Sequence, residues 1–198
     1  MSTEKLNVAE IERNTLETQI RLSAELESTG AGLKGASGVG YFDHMLNSFA
    51  IHSGIKLRLD MTGDLNVDCH HTIEDVGICL GKVLGNIAQN NKPYKRYGSA
   101  MIPMDEALAR AVIDISGRPF IVVNYQPKAQ MIGDFDTQMV PEFFRAVAFN
   151  MNATLHLEVL YAQNDHHAVE ALFKAFAHSL KEALEPIAGS ELSAKGIL

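Results

Sequence analysis

Two cysteines, Cys69 and Cys79, are all that 198 residues contain. That is too few for a disulfide framework and fits a reducing cytoplasm. No run approaches the roughly 20 consecutive apolar residues of a membrane span. Met1-Ser2-Thr3-Glu4-Lys5 also lacks the basic-then-apolar pattern of a secretory leader, so a cytoplasmic location is expected. Basic excess is missing too: a net charge of −7 and a pI near 5.6 argue against a general nucleic-acid binder. What remains, at 46% hydrophobic and 21% charged, is an ordinary globular composition with enough chain to bury a substantial core.

The chain does have histidine, and it has it twice in one phrase. His70-His71-Thr72-Ile73-Glu74 recurs as His166-His167-Ala168-Val169-Glu170, and each copy opens a long apolar-periodic stretch that reads as a helix. Asp68 and Asn164, both good N-cap types, precede the two copies at the same distance. On a helix, Glu74 can reach the neighbourhood of both His70 and His71. Adjacent histidines diverge by about 100° around the axis. They are badly placed to grip one small ion and well placed to reach two. Cys69 adjoins the first phrase, but Asp165 takes that place in the second, which favours an incidental cysteine.

The rest of the chain repeats with the phrase. Residues 5–27 alternate with period two and read as extended, and residues 29–40 hold glycines and read as a loop. A helix is expected over 41–53, a strand over 55–61, a short extended piece at 65–67 and a long helix from the first phrase to about Asn90. After a joint at 91–98, extended stretches at 100–116 and 119–125 precede a helix over 138–152, a strand over 154–161 and a last helix ending near Pro186. The phrases are 166 − 70 = 96 residues apart, about half the chain. An α+β fold built by tandem duplication follows, with half-repeats at 1–92 and 93–198, antiparallel or mixed sheets, and helices on one face of each.

His156 alternates onto the polar face of its strand, which ends just before the second phrase, and His44 begins an otherwise apolar helix. With them, six histidines and two glutamates form a candidate ligand set for two ions. A mixture of imidazole and carboxylate without thiolates suits Mn, Fe, Co or Ni in near-octahedral sites with open positions, as Lewis-acid chemistry requires. For an anionic substrate, Arg96 and Arg118 stand at joints, Lys174 lies two turns beyond His167, and the tail offers Ser193 and Lys195.

Several runs carry a resemblance. Arg13-Asn14-Thr15-Leu16-Glu17-Thr18, Phe42-Asp43-His44-Met45-Leu46, the first phrase with Asp68 and Asp75, Met104-Asp105-Glu106-Ala107-Leu108, Ser116-Gly117-Arg118-Pro119 and His166 through Lys174 resemble imidazoleglycerol-phosphate dehydratase. The tail departs slightly, with Ala194 where the family commonly has threonine. The resemblance implies the ribosomal protein S5 domain 2-like fold. It also implies a lyase of histidine biosynthesis that dehydrates D-erythro-imidazole glycerol phosphate to imidazole acetol phosphate. Two Mn2+ ions per active site and a hollow homo-oligomer of 24 subunits with shared sites would follow.

Carried over by position, His44, His70, His71, Glu74, His156, His166, His167 and Glu170 are the expected metal ligands. Glu17, His52, Arg96, Arg118, Lys174, Ser193 and Lys195 are the expected substrate contacts, with Glu17 and Glu170 as proton-transfer candidates. The substrate's only electron sink is its imidazole ring, so an imidazolate stabilised by two metals and a diazafulvene-like intermediate are the expected route. The alternative is a dinuclear metallohydrolase acting on a phosphorylated small molecule; a metal-storage protein would leave the arginines and the tail without a use.

Overall fold

The computed structural model describes residues 7–26 and 30–189. The period-two stretch near the N-terminus folds as a hairpin, β1 (Val8–Asn14) and β2 (Thr18–Leu26), with Ile20, Leu22 and Ala24 buried and Arg21 outside against Glu10. Its turn is held by Thr15, whose hydroxyl oxygen accepts the backbone N–H groups of Glu17 and Thr18 at 3.1 and 2.9 Å. Glu17 is thus carried on a turn with its backbone fixed and its side chain in solvent. The expected loop at 29–40 contains a short strand, β3 (Gly32–Gly35), which pairs parallel to β4 (Ile55–Gly63). With only four residues, half of them glycine, β3 gave no alternation to read. Helix α1 (Gly40–Ser53) connects the two.

Residues 65–67, expected to be extended, form a turn closed by Val67 N–H to the Asp64 carbonyl at 2.8 Å. Helix α2 (His70–Asn90) then starts at the first phrase. The second half follows the same plan. A hairpin of β5 (Tyr97–Met104) and β6 (Ala107–Asp114) is followed by β7 (Phe120–Asn124), helix α3 (Met139–Met151), β10 (Thr154–Tyr161) and helix α4 (Asp165–Ala183). A small hairpin, β8 (Met131–Ile132) and β9 (Phe135–Asp136), is an addition that the first half lacks and the sequence did not announce.

Two mixed four-stranded sheets result, ordered β1-β2-β4-β3 and β5-β6-β10-β7, each with one parallel pair, β3/β4 and β7/β10. Each sheet buries one face under helices, and the helices of both halves share a core. Phe49 of α1 stacks on Phe176 of α4, and Phe143 of α3 on Phe173 of α4, with ring centroids 5.2 Å apart in each pair. Buried aromatic area of this kind dominates core energetics.

Helix α4 also lies close on β5, because Gly98 offers no side chain. A Cβ there would fall 1.9 Å from the Ser179 carbonyl oxygen and 2.8 Å from the Ala183 nitrogen. Gly98→Ala is therefore expected to destabilise toward the upper end of the ~1–3 kcal/mol typical of overpacking. Chemical denaturation in the presence of a chelator measures it, and a variant as stable as the parent would show that α4 can retreat freely. No helix is long and apolar enough to cross a membrane among the described residues.

Candidate metal centre

Both phrases sit at helix N-termini, directly after the last long strand of their half. Asn164 caps α4, its side-chain oxygen accepting the His166 N–H at 2.9 Å. In α2 the residue at the cap is Cys69, which makes no side-chain cap bond, yet Asp68 accepts the His70 N–H at 2.7 Å and so does the same work one residue earlier. Cys69 is half-buried against the core.

Within each phrase the two imidazoles diverge as their spacing requires. Their ring centroids are 6.0 Å apart in both copies, with interplanar angles of 74° and 80°. The first histidine faces the glutamate one turn on: His70 Nε2 lies 3.5 Å from Glu74 Oε2, and His166 Nε2 lies 3.3 Å from Glu170 Oε2. The second histidine turns elsewhere, so Glu74 serves His70 rather than both. His71 Nδ1 meets Asp64 at 2.9 Å and its Nε2 stands 3.6 Å from Glu17. His167 Nδ1 meets Glu106 at 2.7 Å and its Nε2 stands 3.7 Å from Asp105. Thus the turn of each half's first hairpin brings a carboxylate to the second histidine of its phrase. Met104-Asp105-Glu106-Ala107-Leu108 carried the resemblance, but only folding showed what its two acids touch.

Among the described residues, one group is closed tightly enough to hold an ion. His44 Nε2, on the first turns of α1, lies 3.5 Å from Glu170 Oε2, and ligand atoms of His44, His166 and Glu170 all fall within 4.8 Å of one another. Tyr41 holds this corner together: its hydroxyl donates to the His166 carbonyl at 3.1 Å, and its ring meets the His166 ring edge-on at 4.9 Å. Burial pushes the Tyr41 hydroxyl up, so it stays a donor. Glu170 is nearly buried, which by itself would raise its carboxyl. The Lys174 ammonium, 2.8 Å away, with His44 and His166 outweighs burial and holds it below the usual carboxylate range. Lys174 therefore meets Glu170 and not His167.

The other expected residues are placed variously. His156 faces out of the second sheet, between Val112 and Val122 on neighbouring strands, while Leu155 and Leu157 face the helices. The fold separates it from both phrases of its own chain, because alternation along β10 sends it to the face opposite α4. Arg96 is buried and forks onto Asp114 at 2.6 and 3.0 Å, and Arg118 approaches the same carboxylate at 3.9 Å. The two arginines are thus gathered by one acid. His52 pairs with His178, Nδ1 to Nε2 at 3.2 Å, joining α1 to α4. Ser193 and Lys195 lie outside the described residues. His70 opens on a cavity of about 510 Å³ whose wall includes Asp136 and Glu142, acids that no motif or spacing singled out.

The His52–His178 pair makes a prediction about pH. Burial depresses both imidazoles below the usual histidine value; each also feels a neighbouring cation, Lys174 for His52 and Lys181 for His178, while Glu170 pulls His52 the other way. In the window between the depressed and ordinary values the unfolded chain binds more protons, so stability falls as pH drops through about 6.5. His71 and His167, raised by Asp64 and Glu106, work in the opposite sense, so the wild type alone does not isolate the pair. His178→Gln should lose less stability than the wild type on going from pH 7.5 to 5, in urea titrations with chelator present. Parallel curves would contradict it.

Comparison with known proteins gives one family throughout. A family model of imidazoleglycerol-phosphate dehydratase matches residues 37–180, which include both phrases. The chain belongs to the imidazoleglycerol-phosphate dehydratase family. The member from Exiguobacterium sp. is 50% identical over 179 residues, covering 90% of this chain and 91% of its own. That from Clostridium kluyveri is 44% identical over 196 residues, covering 98% and 100%.

The crystal structure of the dehydratase from Staphylococcus aureus superposes with a TM-score of 0.82 at 39% identity, covering 90% of this chain and 98% of that one. The dehydratase from Pyrococcus furiosus, in complex with (S)-C348, gives 0.81 at 34% identity, with 95% and 100% covered. The chain is accordingly a hydro-lyase of histidine biosynthesis. Its duplicated α+β fold with two similar mixed sheets is that of the dehydratase structures. In this dehydratase, His44, His166 and Glu170 form a group that could hold a metal ion.

Proposed function

We propose that the dehydration of imidazole glycerol phosphate to imidazole acetol phosphate runs at a pair of Mn2+ ions shared between copies of this chain, with Glu17 as the base. The convergence of His44, His166 and Glu170 carries the reading: it is a nitrogen-rich, thiolate-free donor set around a carboxylate kept ionised by Lys174. His70 with Glu74, and His71 and His167 through their Nε2 atoms, supply the remaining imidazole and carboxylate donors. His156, between Val112 and Val122 on the outer face of the second sheet, would serve the ions from a neighbouring copy. Bound ions would supply Lewis acidity to the nitrogens of the substrate's ring.

The chain's own groups do the rest. Glu17, exposed on its turn and 3.6 Å from His71 Nε2, takes the proton from the side-chain carbon. Glu17 passes that proton to the hydroxyl beside the ring, which leaves with the C–O electron pair as water, and the resulting enol becomes the ketone. Arg96 and Arg118, which share Asp114, would bind the phosphate together with Lys195 and Ser193.

Sharing between copies is supported by what one chain lacks. It brings only three ligand atoms together, and the two phrases do not meet in one group among the described residues. The two sheets also differ on their outer faces. The first is charged, with Glu10, Glu12, Arg21, Arg58 and Asp60, whereas the second exposes Tyr97, Met101, Val112, Phe120 and Val122. That face also carries Arg110, Asn124 and Glu158, but its apolar share supports an interface between copies, as an assembly of 24 subunits with shared sites would need.

The test is turnover of imidazole glycerol phosphate by chelated and Mn2+-loaded protein, following ketone and free phosphate. A metal-dependent ketone with phosphate retained is expected. Phosphate release would instead indicate a metallohydrolase, and product formation independent of metal would overturn the reading.

A further inference from the structure

His71 and His167 share a contact that the duplication does not explain. Each presses Nδ1 on a carboxylate, Asp64 Oδ2 at 2.9 Å and Glu106 Oε2 at 2.7 Å. The two acids are not repeat counterparts. Asp64, which follows β4, corresponds to the segment after β10, whereas Glu106, in the β5–β6 turn, corresponds to the β1–β2 turn at 15–17. Two unrelated positions have been filled to make one contact at equivalent histidines.

The chemistry of the contact is definite. A carboxylate only accepts, so the proton must stand on Nδ1, leaving the Nε2 lone pair outward. There Nε2 faces the hairpin carboxylate, Glu17 or Asp105, at 3.6 or 3.7 Å, too long for a hydrogen bond. The acids themselves are held differently. Glu106 Oε1 accepts the backbone N–H groups of Gln163 and Asn164 at 3.1 and 2.8 Å, which fixes its carboxylate plane. Among the described residues Asp64 has no such anchor: its Oδ1 is buried without a partner, a costly arrangement that leaves His71 as its side chain's partner.

From this geometry we infer that Asp64 and Glu106 are positioning residues, fixing His71 and His167 in the Nδ1–H tautomer so that Nε2 is the donating atom of each. The inference rests on the metal reading above, in which those Nε2 atoms bind the ions. Acceptors of this kind behind a ligating histidine are typically worth 10–100-fold in metal affinity.

The two anchoring patterns make a discriminating experiment. In Glu106→Gln, the backbone donors of Gln163 and Asn164 hold the amide oxygen, so the NH2 group faces Nδ1 and drives the ring proton to Nε2. In Asp64→Asn nothing holds the amide, which can turn its oxygen to the ring and keep the tautomer. Ring-nitrogen NMR of the chelated, full-length protein, above the histidine titrations, reads the tautomers without metal or turnover. Mn2+ titration then reads affinity.

Glu106→Gln should switch His167 and lose ~10–100-fold in Mn2+ affinity. Asp64→Asn should keep the His71 tautomer and stay close to wild-type affinity, while Asp64→Leu loses it by a similar factor. Wild-type affinity in Glu106→Gln, or an Asp64→Asn loss as large as that of Asp64→Leu, would overturn the inference. If Asp64→Leu does not fold, the Glu106→Gln comparison decides alone. Failure of the wild type to bind Mn2+ would count against the metal reading, and the tautomer measurement would still test the positioning.

Discussion

Glu17→Gln is expected to lower kcat by ~10²–10⁴-fold, the range that a positioned general base contributes, while Mn2+ stoichiometry and KM stay near their wild-type values. The expectation follows from where the side chain is and what holds it. Its turn is fixed by Thr15, and the hairpin is tied to α2 by a buried network. Thr18 donates to Asp75, and Arg13 reaches the other oxygen of the same carboxylate at 2.8 Å. Asp75 immediately follows Glu74, so Glu17 and the first phrase are positioned by one acid.

Glutamine keeps the shape and removes only the ability to accept a proton, so a loss confined to kcat points to proton transfer. Single-turnover rates measured with saturating metal provide the reading. Full turnover in Glu17→Gln, with metal and substrate bound normally, would remove Glu17 from the mechanism.

The second large effect is expected at Glu170. Glu170→Gln replaces the only carboxylate among the three grouped ligands. The other oxygen of Glu170 faces Lys174, which is mostly buried, so the substitution leaves an ammonium beside the centre without its counter-charge. Both changes work against a divalent cation. Mn2+ affinity should fall by at least ~100-fold, the upper end of what even an indirect contact is worth, with turnover falling in step at limiting metal. The distinguishing observation is partial recovery at high Mn2+, which Glu17→Gln should not show. A variant binding Mn2+ as tightly as wild type would displace the centre from His44, His166 and Glu170.

The repeated phrase, its helical setting and its divergent histidines were legible before folding because they depend on local spacing alone. A 3.6-residue period brings Glu74 within reach of its phrase and splits the adjacent histidines by about 100°, and His166, His167 and Glu170 obey the same rule. Most long elements were legible for the same reason: β10 and both long helices begin where their hydrophobic period begins. The short elements were not. β3 has four residues and β8 and β9 two each, too few for a period, and they exist because a neighbouring strand or hairpin supplies their hydrogen bonds.

What the sequence determined by itself was a duplicated chain with histidines enough for two ions and no thiolates to close them. Only the tertiary structure decided which carboxylates from outside the phrases His71 and His167 meet. It brought His44 across from α1 to Glu170, turned His71 and His167 onto Asp64 and Glu106, and sent His156 to the far face of its sheet. Contacts between residues 61 and 126 positions apart, such as Glu106 with His167 or His52 with His178, depend on how helices cross and strands register. Those are set by the packing of the shared aromatic core, which no local spacing encodes.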